Sequence, residues 1–256
     1  MDSKIPRIPK RNYELELEFR VSFICGLLKE SGAEGIVFGN SGGKDSALVG
    51  ILCKKACDNT VGVMMPCHSK RNFNEDIKDA SLLAESYDIQ NITVDLTELK
   101  LALCDKLAAV SNSVGEISGQ AVANIAPRLR MTALYLIAQS RNSLVAGTGN
   151  RSEIHMGYFT KWGDGAYDFN PIGDLTVHEI YEFLKYLDTP AVFFEKAPSA
   201  GLFDGQTDET EMGISYREID DYLLNSAATD DARVIIEKAH NSTAHKRIPA
   251  KIYKNN

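Results

Sequence analysis

The sequence predicts an α/β fold in three layers, with a mostly parallel, twisted sheet flanked by helices. Short apolar segments of strand-favouring residues alternate with helical patterns from residue 13 to residue 146. A glycine-rich turn follows the first predicted strand and leads directly into a helix. This alternation favours a parallel sheet with right-handed crossovers, in which ligands bind at the carboxyl ends of the strands.

The first half of the chain contains the predicted sheet. Predicted helices cover 13–31, 46–57, 75–87, 98–110 and 122–139, and predicted strands cover 36–38, 61–65, 91–96 and 143–146. Gly32 ends the first helix and Pro66 stops the second strand. The glycine-rich loop and the turn at 147–149 therefore both lie at strand ends.

The second half is less regular and mainly helical. Thr176 and Glu179 have the spacing of a capping box, and so do Ser215 and Glu218. Each pair predicts the start of a helix. A last helix is predicted over 230–240.

Composition limits the class of protein. The 256 residues suffice for one large domain, and we predict a single domain over 1–256. The formal net charge of −7 disfavours broad affinity for nucleic acid, and no apolar run is long enough to span a bilayer. Five scattered cysteines are typical of a cytosolic protein with reduced thiols. We therefore expect a cytoplasmic protein whose partners are neither nucleic acids nor membranes.

The loop after the first predicted strand is suited to an anion. Residues 39–46 read GNSGGKDS, and the glycines lack the Cβ atoms that would block a close approach. The N–H groups of such a loop converge at the start of a helix, whose dipole favours negative charge. The spacing fits neither the Walker A loop nor the GxGxxG dinucleotide loop. We therefore predict a phosphate site of another type.

Four stretches resemble known families. Residues 41–46, SGGKDS, resemble the SGGxDS pyrophosphate loop of the ATP pyrophosphatase superfamily. The other stretches narrow the resemblance to the ammonia-dependent NAD synthetases: NIAPRLRM at 124–131, GTGNRSE with GYFTKWGDG within 147–165, and the loop 198–216 with HKR at 245–247. These matches keep their order and cover nearly the whole chain.

The resemblance implies an adenine nucleotide alpha hydrolase-like, Rossmann-like fold and the last step of NAD biosynthesis. Enzymes of this family use ATP and ammonia to convert deamido-NAD (nicotinic acid adenine dinucleotide) to NAD, releasing AMP and diphosphate. The substrate carboxylate is first adenylated, because its own oxygen is a poor leaving group whereas AMP leaves readily. The resemblance thus implies ATP as co-substrate and Mg²⁺ as cofactor.

The resemblance also implies the site residues. We predict catalytic roles for Lys44, Asp45 and Ser46, and magnesium ligation by Asp45 and Glu153. The predicted ATP site comprises Gly39, Asn40, Ser41, Gly42, Gly43, Lys44, Asp45, Ser46, Thr148 and Ser199. The predicted deamido-NAD site comprises Arg128, Lys161, Asp168, His245 and Lys246. An arginine suits the dinucleotide because its guanidinium binds two phosphate oxygens at once.

Two positions depart from the family pattern. Val177 stands where most members have a lysine that contacts the ATP phosphates, and Ser199 stands where many have threonine. Serine keeps the hydroxyl, whereas valine cannot replace a cation. Either Lys44, Arg71 or Lys196 supplies the missing charge, or the phosphate site is weaker.

Three other functions are alternatives to this one. A tRNA-thiolating enzyme of the same superfamily would need a reactive cysteine and a basic RNA surface, which the net charge and the scattered cysteines disfavour. A nucleotide-binding protein without catalysis would follow from a phosphate site weakened at Val177. A glutamine-dependent synthetase would carry a separate glutaminase domain, for which the chain has no room. We therefore expect ammonia to be free or supplied by a partner.

The resemblance further implies a homodimer in which the substrate lies across a two-fold interface. The helix that carries residues 124–131 contributes to that interface in the family. Its apolar residues occur on several faces, more than one sheet-facing stripe needs. They are Val122, Ile125, Leu129, Met131, Leu134, Leu136 and Ile137.

The composition of the segment 198–213 predicts a mobile lid. It contains three glycines and four acidic residues, and Leu202 and Phe203 are its only large apolar residues before Met212. Because an acyl adenylate must be kept from water, we expect ATP with deamido-NAD to slow limited proteolysis within this segment. Equal cleavage rates with and without both substrates would contradict the prediction.

Overall fold

The structure is a computed structural model that describes residues 11–67, 76–110, 113, 115–195 and 208–253. Arg71, Lys196 and Ser199 lie outside the described residues, as does most of the predicted lid, 198–207. Within the described ranges, no helix combines the length and the apolar character that crossing a membrane requires.

Helices and strands alternate in the first half, as the sequence predicts. In chain order they are α1 (Tyr13–Ser31), β1 (Gly35–Gly39), α2 (Lys44–Ala56), β2 (Thr60–Met64), α3 (Ile77–Tyr87), β3 (Gln90–Thr93), α4 (Thr97–Ala108), α5 (Gly119–Ala123), α6 (Ile125–Ser140) and β4 (Ser143–Ala146). The second half follows with α7 (Arg151–Met156), α8 (Val177–Tyr186), α9 (Val192–Glu195), α10 (Asp208–Met212), α11 (Tyr216–Asn225), α12 (Asp230–Ser242) and a 3₁₀ turn (Ala244–Lys246).

The strands form one parallel sheet in the order β3-β2-β1-β4. Val37 of β1 pairs with Val61 of β2 on one side and with Val145 of β4 on the other. After β1, the strands β2 and β3 are added on one side of it, and β4 then pairs with β1 on the other side. This makes the gap between β1 and β4 a topological switch point, where ligands bind in such sheets. The predicted parallel α/β sheet is confirmed.

Alternate side chains of β1 enter different layers. Ile36 and Phe38 are fully buried against α1, α2 and α8, whereas Val37 packs with α6 on the other face. Helices therefore cover both faces, which explains why the strand is apolar throughout. A third apolar cluster, around Ile219 and Ile236, joins α7, α8, α11 and α12.

Helix α2 begins two residues earlier than predicted, at Lys44 instead of residue 46. Its N-cap is Gly43, whose extended backbone (φ −91°, ψ 168°) lets the helix start directly after it. Lys44 and Asp45 consequently lie in the first turn of α2. Both capping boxes that the sequence predicts are formed, at the starts of α8 and α11.

The prediction of one long helix over 122–139 is wrong, because α5 and α6 meet at Asn124. The reason is Pro127, which lacks an N–H and whose ring would clash with the carbonyl of Ala123 in a continuous helix. In the first turn of α6 the missing N–H costs nothing. The Asn124 side chain instead accepts a hydrogen bond from the Thr160 hydroxyl at 2.7 Å, which joins this break to the turn after α7.

Candidate active site

The carboxyl ends of β1 and β4 open into one cleft. The phosphate loop after β1 and the turn 147–149 after β4 border a cavity of ≈ 590 Å³. The cavity continues to the turn 157–164, where Lys246 also borders it. A concave site of this size is typical of small-molecule binding.

The phosphate loop is held in shape by its own residues. Gly42 has φ +72°, and a Cβ there would lie 2.5 Å from the Asp76 carbonyl oxygen, so only glycine fits. The Ser41 and Ser46 hydroxyl oxygens are 3.1 Å apart, and Ser46 also donates to the Gly43 carbonyl at 2.9 Å. No side chain of the described residues caps α2, so the N–H groups of its first turn remain for an anionic ligand.

Asn40 anchors this loop to the layer behind it. Its side chain is buried, and Nδ2 donates to the Ala80 carbonyl at 3.0 Å and to Asn91 Oδ1 at 3.2 Å. Asn40 Oδ1 accepts the Gly42 N–H at 3.4 Å. The predicted ATP-site residue therefore fixes the loop relative to α3 and β3.

A buried asparagine joins the two predicted magnesium ligands. Asn150 Nδ2 donates to Asp45 Oδ1 at 3.2 Å, and Asn150 Oδ1 accepts the Glu153 N–H at 3.0 Å. The Glu153 carboxylate accepts the Asn150 N–H at 3.0 Å, which completes a capping box at the start of α7. Carboxylates that follow two different strands are thereby held at one end of the cleft.

Lys44 interacts with both carboxylates. Its Nζ lies 2.7 Å from Asp45 Oδ2, and its side chain is only 7% exposed. Burial disfavours the ammonium, but the charges of Asp45 and Glu153 outweigh that effect and raise the pKa of Lys44. Burial and the charge of Asp45 raise the pKa of Glu153 well above its ordinary value, against the opposing charge of Lys44. A further cation at this centre would favour the ionised form of Glu153.

The donor set fits a magnesium ion that binds together with ATP. Magnesium is usually held by one or two carboxylates plus substrate phosphates, and Asp45 and Glu153 supply such oxygens beside the phosphate loop. Among the described residues, no group of three or more His, Cys, Asp or Glu side chains is arranged to hold a metal ion.

Asp208 and Tyr216, which are absent from the predicted set, complete this centre. Asp208 is buried, lines the cavity and accepts a hydrogen bond from the Tyr216 hydroxyl at 3.0 Å. The Tyr216 ring lies 5.7 Å from Lys44 Nζ, and the Tyr181 ring lies 5.9 Å from it. For Asp208 the sequence offers only the acidic composition of its segment as a signal.

Val177 does not take part in the charged centre. It begins α8 and is buried in the apolar cluster with Tyr216 and Ile219. Tyr181, one turn further along α8, lies beside Lys44. Of the three residues that could supply the missing cation, Lys44 lies at the site, whereas Arg71 and Lys196 lie outside the described residues and stay untested.

The cleft contains Arg130, and Arg128 lies outside it. Arg130 lines the cavity, and its Nε donates to the Met65 carbonyl at 3.1 Å. Burial lowers the pKa of Arg130. Arg128 is exposed, and its guanidinium nitrogens lie 3.5 and 3.4 Å from the Asn124 and Lys161 carbonyl oxygens. Residues two apart on a helix point to different faces, so Arg128 and Arg130 have different surroundings.

Three other predicted residues of the deamido-NAD site hold the C-terminal turn against the cleft. Lys246 Nζ donates to the carbonyls of Gly157 and Phe159 at 2.8 Å each, and its side chain borders the cavity. Lys161 Nζ donates to the carbonyl of His245 at 2.6 Å. Lys246 of the 3₁₀ turn thus donates to the turn after α7, and Lys161 of that turn donates to the 3₁₀ turn.

Asp168 lies at the edge of the sheet, apart from the phosphate loop. Its carboxylate accepts the Val145 N–H at 2.7 Å and the Tyr135 hydroxyl at 3.2 Å. Since β4 is the edge strand, Asp168 satisfies a backbone donor that would otherwise be unpaired in the sheet. Thr148, by contrast, borders the cavity directly after β4.

The parallel sheet, the glycine-rich loop and the paired carboxylates define an α/β nucleotide-binding protein of the ATP pyrophosphatase class. The chain belongs to the NAD synthase family, whose model matches residues 16–256. The NH(3)-dependent NAD(+) synthetase of Carboxydothermus hydrogenoformans is 45% identical over 240 residues, which cover 93% of this chain and 97% of that protein. The synthetase of the same name from Archaeoglobus fulgidus is 43% identical over 83% of each chain.

Solved structures agree with this membership. The NMN synthetase from Francisella tularensis has a TM-score of 0.88 at 36% identity, over 96% of this chain and 100% of that one. The NH3-dependent NAD synthetase from Campylobacter jejuni has a TM-score of 0.76 at 30% identity, over 95% of this chain and 100% of that one.

We expect Asp45→Asn to lower turnover with ATP, ammonium and deamido-NAD by on the order of a hundredfold or more, because it removes a charge beside the phosphate loop. Pyrophosphate release measures turnover, and circular dichroism checks folding. The control is Asp58→Asn, at the other end of α2, whose side chain is fully exposed. A near-wild-type rate for Asp45→Asn would remove Asp45 as a metal ligand.

Proposed function

We propose that the chain catalyses the final step of NAD biosynthesis, the amidation of deamido-NAD by ammonia at the expense of ATP, with release of AMP and diphosphate. The observation that carries this proposal is the contact of the phosphate loop with the segment after β4, where the Asn150 side chain bonds both to the Asp45 carboxylate and to the Glu153 N–H. Membership of the NAD synthase family supports it. The proposed unit is a single synthetase domain over residues 1–256.

The first chemical step is an adenylation. A carboxylate oxygen of deamido-NAD attacks the α-phosphorus of ATP, the new O–P bond forms, and the bond to the β-phosphate breaks with release of diphosphate. The N–H groups at the start of α2 and the hydroxyls of Ser41 and Ser46 bind the phosphates, and Lys44 offsets charge on the leaving group. A magnesium ion held by Asp45 and Glu153 would neutralise further charge on the diphosphate.

The second step is the amidation itself. Ammonia attacks the carbonyl carbon of the acyl adenylate, the bond to AMP breaks, and the nitrogen loses a proton to give the amide. The cavity runs from the phosphate loop to the turn 157–164, so the nicotinate end can lie near Lys246 while its carboxylate points to the ATP phosphates. Arg130, which lines the same cavity, offers a guanidinium to phosphate or carboxylate oxygens.

A mononucleotide is the second candidate substrate. The Francisella tularensis structure with a TM-score of 0.88 is that of an NMN synthetase. Nicotinic acid mononucleotide carries the same reacting carboxylate as deamido-NAD. The mononucleotide is smaller than deamido-NAD, so it does not need Arg128. That side chain lies outside the cavity of the protein chain to which it belongs. The two substrates therefore differ in the contacts they require beyond the cleft.

The proposed nitrogen donor is ammonia, either free or delivered by a separate protein. The Carboxydothermus hydrogenoformans and Archaeoglobus fulgidus relatives are named for ammonia, and the alignment covers 97% of the first of them. We further propose a cytoplasmic location, where ATP is available and thiols stay reduced; all five cysteines are free thiols. The formal net charge of −7 does not favour a nucleic acid as partner.

We propose that the chain acts as a homodimer through α4 and α6. These helices pack against each other and expose Leu99, Leu103 and Leu136, the last with 67% of its surface accessible. Large apolar side chains exposed together mark an interaction surface. Arg128 lies two turns before Leu136 on the same face of α6, so an interface there would enclose it. That arrangement gives Arg128 a place in a substrate site shared between two copies.

We expect the purified protein to form NAD, AMP and diphosphate in equal amounts from ATP, deamido-NAD and ammonium, and to form little with glutamine as the nitrogen source. Parallel reactions with nicotinic acid mononucleotide compare kcat/KM for the two acceptors. A higher value for the mononucleotide would favour the second candidate. Nucleotide binding without product would contradict both and favour a binding protein.

We expect light scattering at micromolar concentration to give twice the chain mass of 28.2 kDa, and Leu136→Asp to give the single-chain mass. A charge at the centre of an apolar interface remains unpaired when two copies associate. The control is Val234→Asp, on α12, whose side chain is equally exposed at 64%. A monomeric wild-type protein would contradict the dimer.

A further inference from the structure

The side chain of Lys44 has an unusual path. Lys44 and Asp45 are consecutive residues in the first turn of α2, and neighbours i and i+1 on a helix point about 100° apart. Their charged atoms nevertheless meet at 2.7 Å, and the Lys44 side chain is 7% exposed. A free lysine at a helix start would extend into water. The surrounding charges must therefore draw the ammonium inward.

Groups from four elements surround this ammonium: Asp45 of α2, Glu153 of α7, and the rings of Tyr181 on α8 and Tyr216 on α11. The Tyr216 hydroxyl in turn donates a hydrogen bond to Asp208 of α10. The aromatic rings present their faces to the cation, and the carboxylates supply the charge. The ammonium thus occupies a position where carboxylate oxygens and aromatic rings together favour a cation.

We propose that Lys44 is a built-in counter-ion that occupies the magnesium position of the ligand-free protein and leaves it when metal and ATP bind together. A lysine can do this because its ammonium is a compact charge on a flexible stem. Asp45 and Glu153 would then hold the metal, and the Lys44 ammonium would pair with the ATP phosphates at the adjoining loop. The inference rests on the metal ligands of the proposed function, but its test does not require turnover.

This exchange couples the metal to the nucleotide. Without ATP, magnesium must displace an ammonium that gains no new partner, so the metal binds weakly. With ATP, the phosphates stabilise the displaced ammonium and complete the coordination of the metal. By linkage, ATP then tightens metal binding and the metal tightens ATP binding by the same factor.

The test uses Mn²⁺, which takes similar oxygen ligands, as an electron paramagnetic resonance probe of the full-length protein. Binding is measured without nucleotide and with an α,β-methylene analogue of ATP, whose own Mn²⁺ affinity is determined separately. The variant is Lys44→Met, which keeps the length of the stem and removes the charge. The control is Lys54→Met on the same helix, whose side chain is 19% exposed and pairs with Asp58 and Asp88.

We expect Lys44→Met to bind Mn²⁺ without nucleotide on the order of tenfold more tightly than wild type, because the competing charge is gone. It should also gain less affinity from the analogue, whereas Lys54→Met should match wild type in both measurements. Circular dichroism confirms folding, and Lys44→Gln replaces the methionine variant if that variant is unstable. Unchanged or weaker Mn²⁺ binding in the folded Lys44 variant overturns the inference and leaves the proposed function intact. Absence of Mn²⁺ binding by wild type even with the analogue overturns the inference together with the metal site.

Discussion

The relative position of the two carboxylates in the cleft depends on the side chain of Asn150. One amide holds the carboxylate that follows β1, through Nδ2 to Asp45, and fixes the start of the helix that presents Glu153, through Oδ1. Asn150 is fully buried, so these bonds are not exchanged with water. The parallel pairing of β1 with β4 brings the two carboxylates to one edge of the sheet, and this amide sets their relative position.

Position 177 and Lys44 lie in different surroundings within the same region. Val177 is buried among apolar side chains, where an unpaired ammonium would be costly. Lys44, on a different element, brings a positive charge to the neighbouring carboxylate of Asp45 and the ring of Tyr216.

Local signals explain what the sequence could predict. The glycine-rich loop, the alternating strands and helices and the two capping boxes are each encoded within a few residues, and the structure has them. The bond between Asn150 and Asp45 joins residues 105 apart, so it depends on strand pairing that no local pattern contains. Which of the two arginines, Arg128 or Arg130, lines the cleft depends on how α6 is rotated against the sheet. The break at Asn124 contributes to that rotation. That break itself was readable from Pro127.

The hydrogen bonds of Lys161 and Lys246 between the turn after α7 and the 3₁₀ turn at 244–246 have a consequence for folding during translation. Lys246 forms part of the wall of the cleft, although the sheet is complete at residue 146. A nascent chain can therefore pair all four described strands and bury the apolar cluster between the sheet and α6 about a hundred residues before this wall exists. Until Lys246 has emerged from the ribosome, the cleft stays open on one side, and ligands cannot use its closed form to guide folding.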